Sequence, residues 1–253
     1  MRGFMTASLL LGLGLAIPAR ADEQADLKAI VEKAVKASGG EEKLTKFKAM
    51  NMKMKGKFYG MGDGIDYTME IWVQQPAQSK SEVSIEANGM KFTFAQVLNG
   101  DKGWTSIAGK TDDMDKEAVE EGKEVMYAGR VTQLAPLVKE KGFTFAALGD
   151  MKIGDHETVG VKVSSKDHRD VNLYFDKKTN LLVKSESNVK DLMAGGKEVN
   201  QETYYEDYKE VDGIQRAGKI VIKREGKDYV DGELTEFKPM EKLDDKLFDK
   251  PKD

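Results

Sequence analysis

Apolar and polar side chains alternate residue by residue along most of this chain, and that alternation constrains its fold more than any other feature. It is clear over residues 50–58, 65–73 and 159–163. Because successive side chains of a strand point to opposite faces, the pattern predicts half-buried β-strands. Turn sequences such as Asn99-Gly100-Asp101 separate these segments, and connections this short predict antiparallel neighbours.

Two segments have helical spacing instead. Near the N-terminus apolar residues recur every three or four positions, which predicts a helix with one buried face. These residues are Leu27, Ile30, Val31, Ala34 and Val35. Gly39-Gly40 predicts the end of this helix through left-handed backbone. A second helical segment is predicted over 115–127 and 130–140, capped by Asp113 or Asp115 and split at Pro136.

The predicted chain order is a helix, about five strands, a helical insert and about six further strands. The expected fold class is α+β, mainly antiparallel β. We expect a curled open sheet or incomplete β-barrel of about eleven strands, with the N-terminal helix and the helical insert covering its concave face. No linker-like or low-complexity stretch divides residues 22–253, which are expected to form a single domain.

The first 21 residues have the three parts of a secretory signal peptide. Arg2 supplies the positive start, residues 4–17 are apolar and uncharged, and Ala19-Arg20-Ala21 is a cleavage motif before Asp22. An uncleaved anchor is the alternative. The apolar run is shorter than the ~20 residues that a membrane span needs, which favours cleavage after Ala21. The mature protein is therefore expected to be periplasmic, with no integral membrane segment.

Composition and motifs exclude several classes of function. The chain has no cysteine, which excludes disulfides, thiolate metal sites, a cysteine nucleophile and a lipid anchor on cysteine. Its 40 basic and 44 acidic residues are interleaved, so nucleic acid is not an expected partner. His156 and His168 lack a metal-binding spacing, and surface histidines are favoured over metal ligands. Without a phosphate-binding loop or nucleophile motif, neither a cofactor nor an enzymatic activity is expected.

Methionine and phenylalanine are concentrated on the predicted inward faces of the first strands. Flexible, polarizable methionine suits surfaces that accept apolar partners of variable shape. The residues assigned to a candidate apolar ligand site are Met50, Met52, Met54, Met69, Ile71, Met90, Phe92 and Phe94. Val131, Leu134 and Leu137 of the helical insert form a candidate lid, which is a cover over a cavity if it packs loosely and part of the core if it packs tightly. An ordinary core with methionine as filler explains the same pattern.

Several local sequences, together with the order of elements, carry a resemblance to a known family. They are A-S-G-G-E-E-K-L at 37–44, L-N-G-D-K-G-W at 98–104, L-Y-F-D-K at 173–177, L-L-V-K at 181–184 and D-Y-K-E-V-D-G-I at 207–214. With its order of helix, meander, helical insert and second meander, the chain resembles the outer-membrane lipoprotein-sorting proteins of the LolA/LolB-like superfamily. The match covers most of residues 22–253, which would then form one LolA-like domain.

The resemblance implies an incomplete barrel of about eleven strands, closed by helices over an apolar cavity. Its best-known members carry lipoprotein acyl chains from an inner-membrane transporter to an outer-membrane receptor. The receptor is itself a lipoprotein, so the missing cysteine favours a carrier here. The expected function is a soluble periplasmic carrier or binder of lipid-like ligands. Its expected partners are lipid or lipoprotein acyl chains and the inner- and outer-membrane sorting components.

The alternative is a non-enzymatic interaction or structural protein of the envelope, with a filled core and no ligand. In that case the sheet edges or exposed aromatic side chains would contact another protein. The aromatic residues considered for such a contact are Tyr204, Tyr205 and Tyr208.

Overall fold

The computed structural model describes residues 18–87, 90–191 and 195–252. The predicted signal sequence up to Ile17, the Asn88-Gly89 turn and the side chain of Met90 lie outside the described part. The helices are α1 (Pro18–Ala37), α2 (Glu41–Lys46), α3 (Lys116–Val131) and α4 (Ala135–Lys139), and a short 3-10 helix spans Asp245–Phe248. Within these ranges, no helix is both long and apolar enough to cross a membrane.

Fifteen strands account for most of the described chain. They are β1 (Ala49–Phe58), β2 (Ile65–Gln74), β3 (Gln78–Ala87), β4 (Met90–Asn99), β5 (Lys102–Ile107), β6 (Lys110–Asp113), β7 (Phe143–Ile153), β8 (His156–Ser165), β9 (Val171–Asp176), β10 (Leu182–Asp191), β11 (Lys197–Glu206), β12 (Lys209–Val211), β13 (Ile214–Arg216), β14 (Lys219–Arg224) and β15 (Lys227–Met240).

Thirteen strands form one antiparallel sheet in the order β6-β5-β4-β3-β2-β1-β15-β14-β11-β10-β9-β8-β7. The sheet is not closed into a barrel, which confirms the predicted α+β class with an open, curled antiparallel sheet. The strand count is higher than the predicted eleven. One reason is that the segment predicted as a single strand over 214–224 is two strands, and the first pairs with β12 in a separate hairpin.

The helical insert joins the two edges of this sheet. Strand β6 ends one side and β7 ends the other, and α3 and α4 connect them. Asp115 caps α3 by accepting a hydrogen bond from the Ala118 amide at 2.8 Å, as one of the two predicted caps. The insert breaks at Leu134, which has a φ of 65°. Pro136 instead lies in the first turn of α4, where its missing N–H removes no helical hydrogen bond.

The inner face of the sheet is the face on which the helices pack, and strand register shows that the predicted methionine face belongs to it. Met54 pairs with Leu234 of β15. Gly232, two residues earlier and on the same face, pairs with Ile220, which pairs with Tyr205. Tyr205 packs against the helices. The first and last strands therefore share one inner face.

The helices fill one half of the inner face, over strands β7–β10. This filled half is a buried cluster that joins α1, α3 and α4 to these strands. Its most buried members are Val31, Ala34, Val131, Val161, Val163 and Leu173, all with no measurable exposure. The predicted apolar face of α1 is therefore part of the core. Gly39 ends α1 with a φ of 125°, and a Cβ there would lie 2.5 Å from the Gly213 carbonyl.

Other parts of the chain cover one edge of the sheet and part of its outer face. At edge strand β7, the Gln24 side chain donates to the Phe145 carbonyl and accepts from the Phe145 amide at 2.9 Å, which occupies backbone groups that an edge leaves unpaired. On the outer face, Leu243 and Phe248 near the C-terminus pack into a second cluster of β1, β4 and β5 residues. The C-terminal segment thus covers the outer face of the first strands.

Candidate apolar binding surface

A row of apolar side chains crosses six neighbouring strands on the inner face. The Cα atoms pair in register from β15 through β1, β2, β3 and β4 to β5. Its members are Leu234, Met54, Met69, Val83, Phe94 and Ile107. We call this row and its two flanking rows, which hold Phe237, Met52, Ile71, Tyr67, Ile85 and Phe92, the apolar shelf.

The apolar shelf is only partly shielded from solvent. Met54, Tyr67 and Ile85 at its centre are buried, whereas Met52 and Phe94 are half-buried. At its far margin Phe92 is 41% exposed and Ile107 is 52% exposed. Large apolar side chains exposed side by side mark binding surfaces more often than isolated ones do. This half of the inner face is the open half, in contrast to the filled half under the helices.

Gly232 makes room for the side chains at the centre of the shelf. A Cβ at this position would lie 2.5 Å from the Tyr67 hydroxyl and 2.9 Å from the terminal methyl of Met54. Both side chains therefore lie flat across the backbone of β15. Burial, with a smaller contribution from the Asp231 carboxylate, raises the pKa of Tyr67 to about 12, so the phenol is neutral at physiological pH. The centre of the shelf carries no charge from these groups.

Apart from Met90, the predicted site residues share this face, since Met52 pairs with Ile71 and Met54 pairs with Met69. Met50 lies on the same face one row further along, opposite Val73. Their common face agrees with the predicted pattern, and their role in binding stays a prediction.

The predicted lid residues lie elsewhere on the inner face. Val131, Leu134 and Leu137 are each at most 2% exposed and belong to the cluster of the filled half. Helix α3 also contacts the open half, where Gly122 of the helix lies next to the Leu98 side chain of β4. The structure thus places these three residues in tight packing beside the shelf.

Polar contacts hold α3 against the filled half. Buried Glu121 pairs with Arg169 through two hydrogen bonds of 2.7 and 3.1 Å and accepts a third from the Lys190 amide at 2.9 Å. Glu124 accepts from the Arg169 amide at 3.0 Å and contacts His168 at 2.8 Å. A hollow of about 390 Å³ beside this cluster is lined by charged residues of α3 with Arg169 and Lys190. The methionines of the shelf do not line this hollow.

Both histidines have a carboxylate partner. His156 Nδ1 lies 2.8 Å from Asp176, and His168 stacks on Tyr127 with 3.9 Å between ring centroids. Among the described residues, no group of three or more His, Asp or Glu side chains is placed to hold a metal ion.

The tyrosines considered as exposed contacts are not exposed, and that expectation is wrong. Tyr205 packs against the filled half and hydrogen-bonds Ser185 at 3.0 Å, while Tyr208 donates to the Leu182 carbonyl at 2.7 Å. Tyr204 lies half-buried on the outer face, with the Lys184 ammonium 5.2 Å from its ring. Alternation in β11 sends neighbouring tyrosines to opposite faces, and each meets a partner there.

Sequence reasoning missed several members of the shelf. Val83 and Ile85 lie between polar residues on β3 and complete the rows between β2 and β4. Their alternation is the signal that identifies them. Leu234 and Phe237 are harder to assign, because simple alternation along β15 would send them to opposite faces. A bulge in the pairing of β1 with β15, between Lys53 and Met54, puts both on the inner face. No sequence pattern identifies Arg216, which is stacked over Phe237 at 4.8 Å.

The fold has counterparts among solved structures. A LolA superfamily protein from Nitrosomonas europaea is 13% identical with a TM-score of 0.54, and the match covers 88% of this chain and 97% of that one. A DUF1329 family protein from Desulfovibrio piger is 11% identical with a TM-score of 0.54 over 88% and 97% of the two chains. A putative outer membrane lipoprotein-sorting protein domain from Vibrio parahaemolyticus is 11% identical with a TM-score of 0.52 over 88% and 95%.

Sequence comparison adds nothing to this likeness, because no protein-family model and no curated protein sequence matches the chain. At these identities the structural likeness concerns the fold alone. It confirms at that level the resemblance found in the local sequences: the chain has the fold of the LolA superfamily.

Proposed function

We propose, from the LolA-like fold and the apolar shelf, that this protein is a non-enzymatic carrier or binder of lipid-like ligands in the bacterial envelope. The observation that carries the proposal is that one continuous inner face is filled by helices over β7–β10 and left partly exposed over β1–β5. A row of flexible methionines and phenylalanines suits a hydrocarbon chain, whose burial contributes ~0.8 kcal/mol per CH₂.

In its finer form the proposal concerns lipoprotein acyl chains. The putative outer membrane lipoprotein-sorting protein domain from Vibrio parahaemolyticus shares this fold. The signal-like N-terminus supports export to the periplasm, with cleavage after Ala21. In this role the protein would receive an acyl chain from an inner-membrane component, hold it on the shelf, and pass it to an outer-membrane component with a better site.

Binding of a fluorescent fatty acid tests the proposal. Phe92→Asn changes an exposed side chain of the shelf, and Met52→Gln changes a half-buried one. We expect the double variant to fold normally and to bind the fatty acid about tenfold more weakly, because both changes replace apolar contacts with polar groups.

Met151→Gln is the matched control for this experiment. Met151 is 45% exposed on edge strand β7, away from the shelf, and its replacement should leave affinity unchanged. Native mass spectrometry of protein purified from the envelope supplies a second readout. Protein that is always empty and also fails to bind the fatty acid would refute the carrier function.

One observation favours the alternative of an interaction or structural protein with a filled core. The filled half is as buried as an ordinary core, and the hollow beside α3 is charged. Under this alternative the open half is covered by a partner protein and not by lipid. Equal fatty-acid binding by the wild type and the double shelf variant would favour it.

A further inference from the structure

Arg216 is a half-buried cation that has no anionic partner among the described residues. It ends β13, and its guanidinium carbon lies 4.8 Å from the centre of the Phe237 ring. Its Nε atom is buried and has no hydrogen-bond partner. Within the described ranges, the titratable group that interacts electrostatically with Arg216 is the Tyr208 phenol. The phenol already donates a hydrogen bond to the Leu182 carbonyl. No carboxylate offsets the positive charge of Arg216 there.

Such an arrangement is costly in a folded protein. Burial lowers the pKa of Arg216 from its ordinary value, but a guanidinium stays protonated at physiological pH. A buried donor such as Nε destabilises the fold when it has no acceptor, and buried donors in native proteins nearly always find one. A missing acceptor beside a candidate binding surface therefore indicates an acceptor that a ligand supplies.

The position of Arg216 connects it to the apolar shelf. Phe237, under the guanidinium, pairs directly with Met52, and Met52 pairs with Ile71. These residues form a shelf row beside the one that contains Met54 and Met69. Arg216 thus marks the margin of the shelf that faces β14, β11 and the filled half. A chain lying along the shelf would bring its head group to this margin.

Arg224 provides an internal contrast. It lies on β14, and its guanidinium stacks on Tyr229 at 3.7 Å, so its aromatic contact matches that of Arg216. Arg224 also has an ion pair with Asp191 at 3.3 Å and a hydrogen bond to Gln201. Among the described residues, the chain thus supplies an anion to one stacked arginine and none to the other.

We propose that Arg216 anchors the anionic head group of an amphipathic ligand, a carboxylate or phosphate, whose hydrocarbon chain lies on the apolar shelf. This inference rests on the proposed function and specifies its ligand class. The head group accepts hydrogen bonds from the guanidinium, and the chain contacts Met52, Ile71 and the row beyond them. Arg216 selects the ligand by charge, and the shelf supplies most of the contact area.

The test compares two ligands of equal chain length, dodecanoate and the neutral 1-dodecanoylglycerol, by displacement of a fluorescent fatty-acid probe from the full chain. Wild-type protein should prefer dodecanoate by about tenfold or more, as expected for a charge-assisted hydrogen bond in a shielded site. Arg216→Gln should lose that preference and still bind the neutral lipid. Arg216→Lys should retain part of it, and Arg224→Gln should leave it unchanged.

Thermal unfolding of each variant shows whether the comparison is valid, and Arg216→Lys keeps the test decisive if Arg216→Gln does not fold. Equal binding of both ligands by wild-type protein would overturn the anchor and leave the carrier function intact. Failure to bind either ligand would refute the carrier function itself. Inorganic phosphate should not displace dodecanoate at millimolar concentration, and displacement would overturn the assignment to an amphiphile in favour of a small-anion site.

Discussion

The two halves of the inner face are built from similar strands but covered differently. Over β7–β10, three helices pack on valine, leucine and phenylalanine side chains that have almost no exposure. Over β1–β5, the corresponding positions hold methionines and phenylalanines among isoleucine, valine and tyrosine, and several of them remain half-buried or exposed. Branched residues with few rotamers suit a fixed core, whereas methionine adapts to variable partners. The difference indicates that one half stabilises the fold and the other half is available for binding.

The largest expected effect that tests this comparison comes from two phenylalanines. Phe175 in the filled half is 1% exposed, and Phe92 in the open half is 41% exposed. Phe175→Ala should lower the free energy of unfolding by about 4 kcal/mol because it leaves a cavity in packed surroundings. Phe92→Ala should cost less than about 1 kcal/mol. Urea denaturation measures both, and equal costs would show that the open half is core.

A smaller effect is expected where α3 is held to the filled half. Glu121→Ala leaves the Arg169 guanidinium without its buried carboxylate, which should lower the free energy of unfolding by about 3 kcal/mol. The matched control is Lys57→Ala, which removes an exposed ion pair with Asp66 on the outer face of β1 and β2 and should cost no more than about 0.5 kcal/mol.

Hydrogen exchange of α3 amides checks the location of the Glu121 effect. Exchange should become faster in Glu121→Ala and stay unchanged in Lys57→Ala. Unchanged exchange in both variants would mean that apolar packing alone holds the insert.

The smallest effect concerns acid stability. Burial opposes ionisation of the Asp176 carboxyl. Hydrogen bonds from the Thr179 amide and hydroxyl, His156 and the Lys178 amide outweigh it and lower the pKa of Asp176 from 3.8 to about 2. Between these values the unfolded chain binds a proton that the folded chain does not, so stability falls as pH falls from about 4 to 2. Asp176 should account for about 2 kcal/mol of that loss, which Asp176→Asn removes.

Glu236 is the control for the acid titration. Hydrogen bonds from Lys238 and Lys53 also lower its pKa to about 2, but the Glu236 side chain lies on the outer face and is 31% exposed, against 8% for Asp176. Solvent screening makes such a pair weak, so Glu236→Gln should change the pH dependence much less than Asp176→Asn does. Comparable changes would show that exposure does not distinguish the two carboxylates.

Local patterns predicted most of the secondary structure. The apolar face of α1, the Asp115 cap and the common face of Met52, Met54 and Met69 all follow from spacing along the chain. The sequence predicts the break in the insert at Pro136, whereas it lies at Leu134, whose positive φ no local rule requires of leucine.

The sequence does not predict which half of the sheet the helices cover. Val131 and Leu137 have apolar spacing that suits either half, and their position depends on where β7 and β10 lie in the sheet. The same holds for Arg216, because the missing hydrogen-bond partner of its Nε within the described part of the chain depends on residues far away in the sequence. Pairing over such distances leaves no signal in a short window of sequence.

The pairing of β1 with β15 has a consequence for the order of folding. Ala49 lies opposite Met240, so the first strand of the sheet meets its second neighbour only when almost the whole chain is present. Two meanders can form early from local hairpins, but the seam between them closes last and at a high cost in loop entropy. The shelf would therefore be complete only after β15, the last strand of the chain, has paired with β1.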